Sequence, residues 1–178
     1  MKRLSVFFAA IALLGLAGIS TAQTADHTVN VAINGFQIIR VNTSAAVTLT
    51  IVAPATPGDA VVDVTENSHY MQYSVIRVGT TSYKVTGVIQ AGTMPTGLGL
   101  YVTAATPGAG GAGTKGTTAT EKLLSGSATD LLTGISNCYT GTGGTDGSQL
   151  TYRLTVSDFA NVAQAASTAI TVRYTITS

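Results

Sequence analysis

Apolar and polar residues alternate in short runs along most of the chain, the period-two signature of strands with one buried face. Val29, Val31 and Ile33 alternate with Thr28, Asn30 and Ala32, and Asn34-Gly35 then supplies a turn or bulge before Phe36–Val41 continues extended. Val47, Leu49 and Ile51 alternate with Thr48 and Thr50, and Pro54 and Pro57-Gly58 end that run. Further runs are Met71/Tyr73/Val75, Tyr83/Val85 with Val88-Ile89, and Leu98/Leu100/Val102. The two clearest lie near the end, Leu150/Tyr152/Leu154/Val156 and Ile170/Val172/Tyr174/Ile176. No window carries a helical period: Ala119–Leu124 is short and Thr-rich, and Ala160–Ala166 suits one turn or a hairpin connection. The pattern predicts an all-β chain, an Ig-like or Greek-key β-sandwich of about 7–9 antiparallel strands, with a closed barrel as the main alternative.

Two stretches interrupt the alternation. Residues 106–118 read TPGAGGAGTKGTT, with no apolar side chain larger than Ala. Such a segment buries too little surface to hold itself in place, which predicts a flexible Gly-rich loop at 106–118. Residues 140–148, TGTGGTDGS, read as a strand connection turning at Asp146-Gly147.

The first residues follow a different logic. Lys2 and Arg3 precede an apolar run from Leu4 to Ile19, and Ser20-Thr21-Ala22 offers small residues before Gln23. These are the three parts of a secretory signal peptide, so residues 1–22 are expected to be cleaved after Ala22. The apolar run falls short of the roughly 20 residues of a comfortable membrane span, and no basic stop-transfer cluster follows it. Residues 23–178 then form a single β-sandwich domain with no stable membrane span, exported to the periplasm, cell surface or medium. An outer-membrane barrel would need longer strands and aromatic girdles, and the chain has no Trp.

Charge excludes some partners. Lys2 and Arg3 are two of nine basic residues, so seven face eight acidic ones in the expected mature chain, with neither sign clustered. That distribution argues against nucleic acid, which requires concentrated Lys and Arg, and against anionic lipid. The one cysteine, Cys138, rules out an intrachain disulfide.

Chemistry is equally sparse. His27 and His69 are distant from one another and do not announce zinc. Asp59, Asp63, Glu66, Asn67 and His69 form the densest polar group, but without the Asp spacing of a calcium loop. Cys138 lies in Ser136-Asn137-Cys138-Tyr139, outside any cysteine-enzyme signature, and no Gly-x-Ser-x-Gly elbow occurs. Gly113-Thr114-Lys115-Gly116 lacks the ending of a phosphate loop. No catalytic residue, cofactor or metal ligand is therefore expected, and the protein reads as a non-enzyme. A glycan is a candidate partner, with Tyr70 and Tyr139 the aromatic rings outside strand patterns most available for stacking.

An exported, low-charge, Thr- and Gly-rich chain that opens on Thr28–Ile33 and closes on Ile170–Ile176 resembles pilin-like and spore-coat-U-like subunits. In pilins one subunit's terminal strand completes the next subunit's sheet. The chain departs from that pattern: it cannot form a disulfide, Gln164 stands where the family has Gly, and Tyr174 is not penultimate. Leu98-Gly99-Leu100-Tyr101-Val102-Thr103-Ala104 and Asn137-Cys138-Tyr139-Thr140-Gly141 are also similar to secreted β-sandwich proteins of Bacteroidetes-type bacteria. That second resemblance implies export and fold but no activity. Together they imply a surface-associated structural or adhesion-type subunit that self-assembles or meets other surface proteins. An extracellular ligand- or glycan-binding module is the alternative.

Overall fold

A 13-residue strand, β2 (Val64–Ile76), runs through both halves of the architecture. The computed structural model describes residues 23–178, so the expected signal segment 1–22 lies outside the described residues. The chain divides into two units, residues 1–32 and Ile33–Ser178. In the first, the described residues 23–32 form no strand or helix. The second holds nine strands, all paired antiparallel, and no helix occurs among the described residues.

The remaining strands are β1 (Phe36–Val41), β3 (Tyr83–Ala91), β4 (Leu98–Ala104), β5 (Ala112–Thr118), β6 (Lys122–Leu123), β7 (Thr129–Tyr139), β8 (Ser148–Val156) and β9 (Thr171–Thr177). The first half of β2 pairs with β8, from Val64↔Leu154 to Met71↔Ser148. Beyond that point the same edge of β2 meets β7 at Ser74↔Tyr139 and Val75↔Cys138. The opposite edge carries β1, from Phe36↔Ile76 to Val41↔Met71. One layer therefore runs β6-β4-β8-β2 with β1 outermost, and the other runs β5-β7-β3-β9. Inward side chains of both layers, including Met71, Val75, Val85, Val102, Leu132, Ile135 and Leu150, make one buried cluster.

At the point where β2 passes from one layer to the other, the backbone needs polar partners that neither ladder supplies. Thr140 provides them: its Oγ1 accepts from the Tyr73 N–H at 3.0 Å and its own N–H donates to the Tyr73 carbonyl at 3.0 Å. Thr140 and Ser148 are both fully buried, and Ser148 Oγ donates to the Ala105 carbonyl. The 140–148 connection is clasped onto β2 by Gln72, whose Nε2 donates to the Gly143 carbonyl at 2.7 Å. Arg40 in turn donates to Gln72 Oε1 at 2.8 Å. The expected turn chemistry is present, since Asp146 Oδ2 accepts from the Gly143 N–H at 2.7 Å.

Two expectations are corrected here. The segment 106–118 is not a loop throughout: Ala112–Thr118 is β5, paired with β7 from Ala112↔Tyr139 to Thr118↔Leu132. Its order comes from backbone pairing rather than apolar burial. Gly111 and Gly113 have φ of 75° and 86°, and a Cβ at either would strike the carbonyl of Tyr139 or Asn137. Lys115 then reaches back to the carbonyls of Gly108 and Gly110, and Tyr73 Oη donates to the Lys115 carbonyl. Second, the alternating runs 28–33 and 47–51 form no strand. Val47, Leu49 and Ile51 are nevertheless half-buried while Thr48 and Thr50 are exposed, so the second run keeps the facing of a strand without a ladder.

The central strand β7 escapes a period-two reading because its pairing with β3 shifts twice, between Tyr83 and Val85 and again between Val85 and Thr86. Each shift adds a residue to one side and reverses the facing beyond it. Consecutive Leu131 and Leu132 are consequently both buried.

Two substitutions test this account by chemical denaturation. Leu132→Ala removes a fully buried side chain from the core cluster and should cost about 2–5 kcal/mol. Gly113→Ala places a Cβ at a left-handed φ against backbone and should cost at least about 1–3 kcal/mol, although Gly113 itself buries almost no apolar surface.

A candidate binding groove with a polar floor

β9 pairs only with β3 and β1 only with β2; the two strands approach one another without forming a ladder, and an opening into the interior lies beside them. Two irregular segments border the opening. The first, residues 43–51, follows β1; the second, residues 159–170, leads into β9. Between them lies a groove of about 900 Å³. Its walls mix apolar side chains, Leu49, Met94, Leu98, Leu154, Ile170 and Val172 among them, with neutral polar ones, and no Lys, Arg, Asp or Glu lines it. A cleft of that size, apolar with a few converging polar groups, has the general character of a binding site.

Thr, Ser and Gln164 side chains of the two bordering segments add polar groups at the rim, and His69, Tyr152 and Tyr174 are the polar groups contributed by strands. Tyr152 sits in β8 and Tyr174 in β9, on opposite layers, and their hydroxyls meet at 2.5 Å. Only one of the two hydroxyls can donate to the other, so the pair retains a spare donor. Burial pushes both phenols above their ordinary range, and for Tyr174 the neighbouring Tyr152 adds to the effect. His69, in β2, stands edge-on to Tyr152 with ring centroids 6.5 Å apart. Its Nε2 lies 2.9 Å from the Ala45 carbonyl oxygen, and its Nδ1 lies 3.1 Å from Ser68 Oγ and 3.4 Å from Glu66 Oε2. Burial opposes the charge on Glu66, but the Ser68 hydroxyl and backbone N–H hold its carboxyl below the usual value. Glu66 Oε2 itself is buried without a hydrogen bond.

The polar group 59–69 is thus split among separate tasks. Asp63 joins Glu121 around the Arg153 guanidinium, at 2.5 and 2.6 Å, and the guanidinium lies 4.4 Å over the Tyr101 ring. Hydrogen bonds to Arg153, and to Thr155 for Asp63, hold both carboxyls low. The Asp59 N–H closes a turn onto Thr56. Among the described residues no group of three His, Cys, Asp or Glu is placed to hold a metal ion. Cys138 is buried in β7 opposite Val75 and Gly113, its thiol pushed up by burial, and no hydrogen bond joins it to His69. His27 is exposed in residues 23–32. Tyr70 and Tyr139, the rings singled out for sugar stacking, do not line the groove.

Tyr152 and Tyr174 were legible as inward-facing strand positions, each flanked two residues away by an apolar side chain. Their meeting was not, because it depends on how the two layers stack. Comparison of the chain with protein-family models, with curated proteins and with solved structures finds no match.

Tyr174→Phe and Tyr152→Phe should each cost on the order of 1 kcal/mol, with the double variant losing less than the sum of the two. Because folding raises these phenol pKa values, their stabilisation is present at neutral pH and declines once pH rises past the unfolded value of about 10. Unfolding followed from pH 8 to 11 should show that decline in the wild type and much less of it in the double variant.

Proposed function

We propose that the protein is an exported, surface-associated structural subunit that assembles by strand addition, with residues 28–33 of one copy entering the open groove of the next. The reading rests on one observation above all. Thr28–Ile33 carries the alternation of a half-buried strand, yet it joins no strand and leaves Val29, Val31 and Ile33 exposed by 65%, 89% and 76%. An alternating apolar face left in water is unfavourable by roughly 25 cal/mol per Å² of apolar surface, which favours its burial on association.

The groove supplies matching features. It is partly apolar, lined by no Lys, Arg, Asp or Glu, and bordered by residues 43–51, a segment that belongs to no ladder. The free edge of β9 offers unpaired backbone groups beside it. Main-chain pairing would then provide affinity, and alternate side chains entering pockets would provide register. Export is supported by the basic, apolar and small-residue pattern of residues 1–22. The second reading, an extracellular module for a small apolar ligand or a glycan, rests on the spare Tyr152–Tyr174 donor in the same groove.

Size-exclusion chromatography with light scattering, and electron microscopy, test the first reading on residues 23–178. Assembly should appear as a concentration-dependent series of oligomers. Val31→Asp should reduce it at least tenfold without lowering thermal stability, since a charge buried without a partner is strongly unfavourable. A strictly monomeric protein at high concentration, or oligomers indifferent to Val31→Asp, overturns strand addition.

A further inference from the structure

We infer that the groove binds a neutral, mainly hydrocarbon small molecule carrying one hydrogen-bond acceptor, such as a ketone or ester carbonyl, which the Tyr152–Tyr174 hydroxyl pair holds. This site rests on the ligand-binding reading above and not on strand addition.

The longest connections of the fold meet at the groove. Within Ile33–Ser178 the strands are joined by short links except at residues 42–63 and 157–170. Strandless stretches beyond about 12–15 residues are uncommon in a compact domain and usually serve as binding loops or lids. Both border the same cavity, whose volume of about 900 Å³ falls in the range of small-molecule sites. Each is fixed near its ends and free between them. Asn42 is tied to Tyr70 and Gly144, and Ala45 to His69. Among the described residues no hydrogen bond joins 46–53 to the rest of the protein, and Val47 and Leu49 hold that stretch by apolar contact. In the other segment the Ser157 and Asp158 N–H groups donate to the Gly97 carbonyl. A Cβ at Gly97 would strike Asp158 and Val162, and one at Gly92 would strike the Ala169 carbonyl. Residues 163–168, between these two close approaches, line the cavity and bond to nothing outside themselves. Walls held in this way can part to admit a ligand without breaking a ladder.

The lining selects the ligand. No Lys, Arg, Asp or Glu faces the cavity, so a charged molecule would lose its water without gaining a counter-ion. His69 is already engaged, with Ala45 at one ring nitrogen and Ser68 at the other. The phenols keep one hydrogen free. Their hydroxyls meet at 2.5 Å, which uses one of the two hydrogens and leaves the other without a protein acceptor. Tyr152 is only 8% exposed, and a carbonyl oxygen entering the cavity would accept from that hydrogen. A sugar chain, rich in donors and acceptors, would leave many of them facing Leu49, Met94, Leu98 and Leu154.

Fluorescence titration of residues 23–178 with the neutral naphthyl ketone dye Prodan tests the site, beside the anionic dye anilinonaphthalene sulfonate and, by calorimetry, maltohexaose. Prodan should bind saturably with blue-shifted emission, at least about tenfold more tightly than the sulfonate, and maltohexaose should give no binding heat. Hydrogen exchange should slow on Prodan binding in 46–53 and 163–168 and stay unchanged in β5 and β7. Replacing both phenols, Tyr152→Phe with Tyr174→Phe, should weaken Prodan binding about three- to tenfold. Equal affinity for the two dyes overturns the site, as does exchange protection confined to other segments or an affinity unmoved in the double variant. Maltohexaose binding tighter than Prodan overturns the ligand class and keeps the module reading, whereas binding of neither removes both. Prodan binding by a protein that stays monomeric sinks strand addition and leaves the site standing.

Discussion

The shared use of β2 by both layers is the constraint on which the rest of the structure depends. A strand that pairs with β8 along its first half and with β7 along its second must leave one ladder and join another within a few residues. Backbone groups at that handover are buried, and a buried unpaired N–H or carbonyl is unfavourable by about 1–3 kcal/mol. Thr140 and Ser148 meet that demand with side chains short enough to fit a fully buried corner. The Gln72 clasp and the Asp146 turn then hold the 140–148 connection where both residues must lie.

Without an intrachain disulfide, the fold gains part of its order from close backbone approach. β5 contributes little apolar surface, but its glycines allow it to lie against β7 where any Cβ would collide with carbonyl oxygens. Lys115 and Tyr73 finish the arrangement by satisfying carbonyls within the same Gly-rich stretch and fastening it to β2. Charge plays a peripheral part: the Arg153 cluster with Asp63 and Glu121 is largely solvated, and such pairs contribute at most about 1 kcal/mol each.

The groove differs in kind from the rest of the interior. Its walls mix apolar and neutral polar side chains, its floor gathers a histidine and two phenols, and one border is a segment lacking the pairing that its alternation would support. Segment 28–33 has the complementary lack, an alternating face with no sheet. Two alternating segments without a ladder in one chain are the physical basis of the proposed strand addition.

Much of the fold was legible in the chain itself, because side-chain facing in a half-buried strand is a local property. β1, β3, β4, β8 and β9 all lie where alternation predicts them, as does the half of β2 from Met71 to Val75. Local pattern failed at β7, where bulges reverse the facing, and at β5, whose order comes from a partner rather than from its own residues. It also failed at 47–51, which has the facing of a strand but no neighbour to bond. The chain alone determined that Tyr152 and Tyr174 would share a face with the apolar residues of their strands and that Cys138 could form no disulfide within the chain. Only the tertiary structure decided that the two phenols would meet and that His69 would reach Ala45. Contacts across 22 and 24 positions depend on how two layers stack, and no residue's own neighbours encode that.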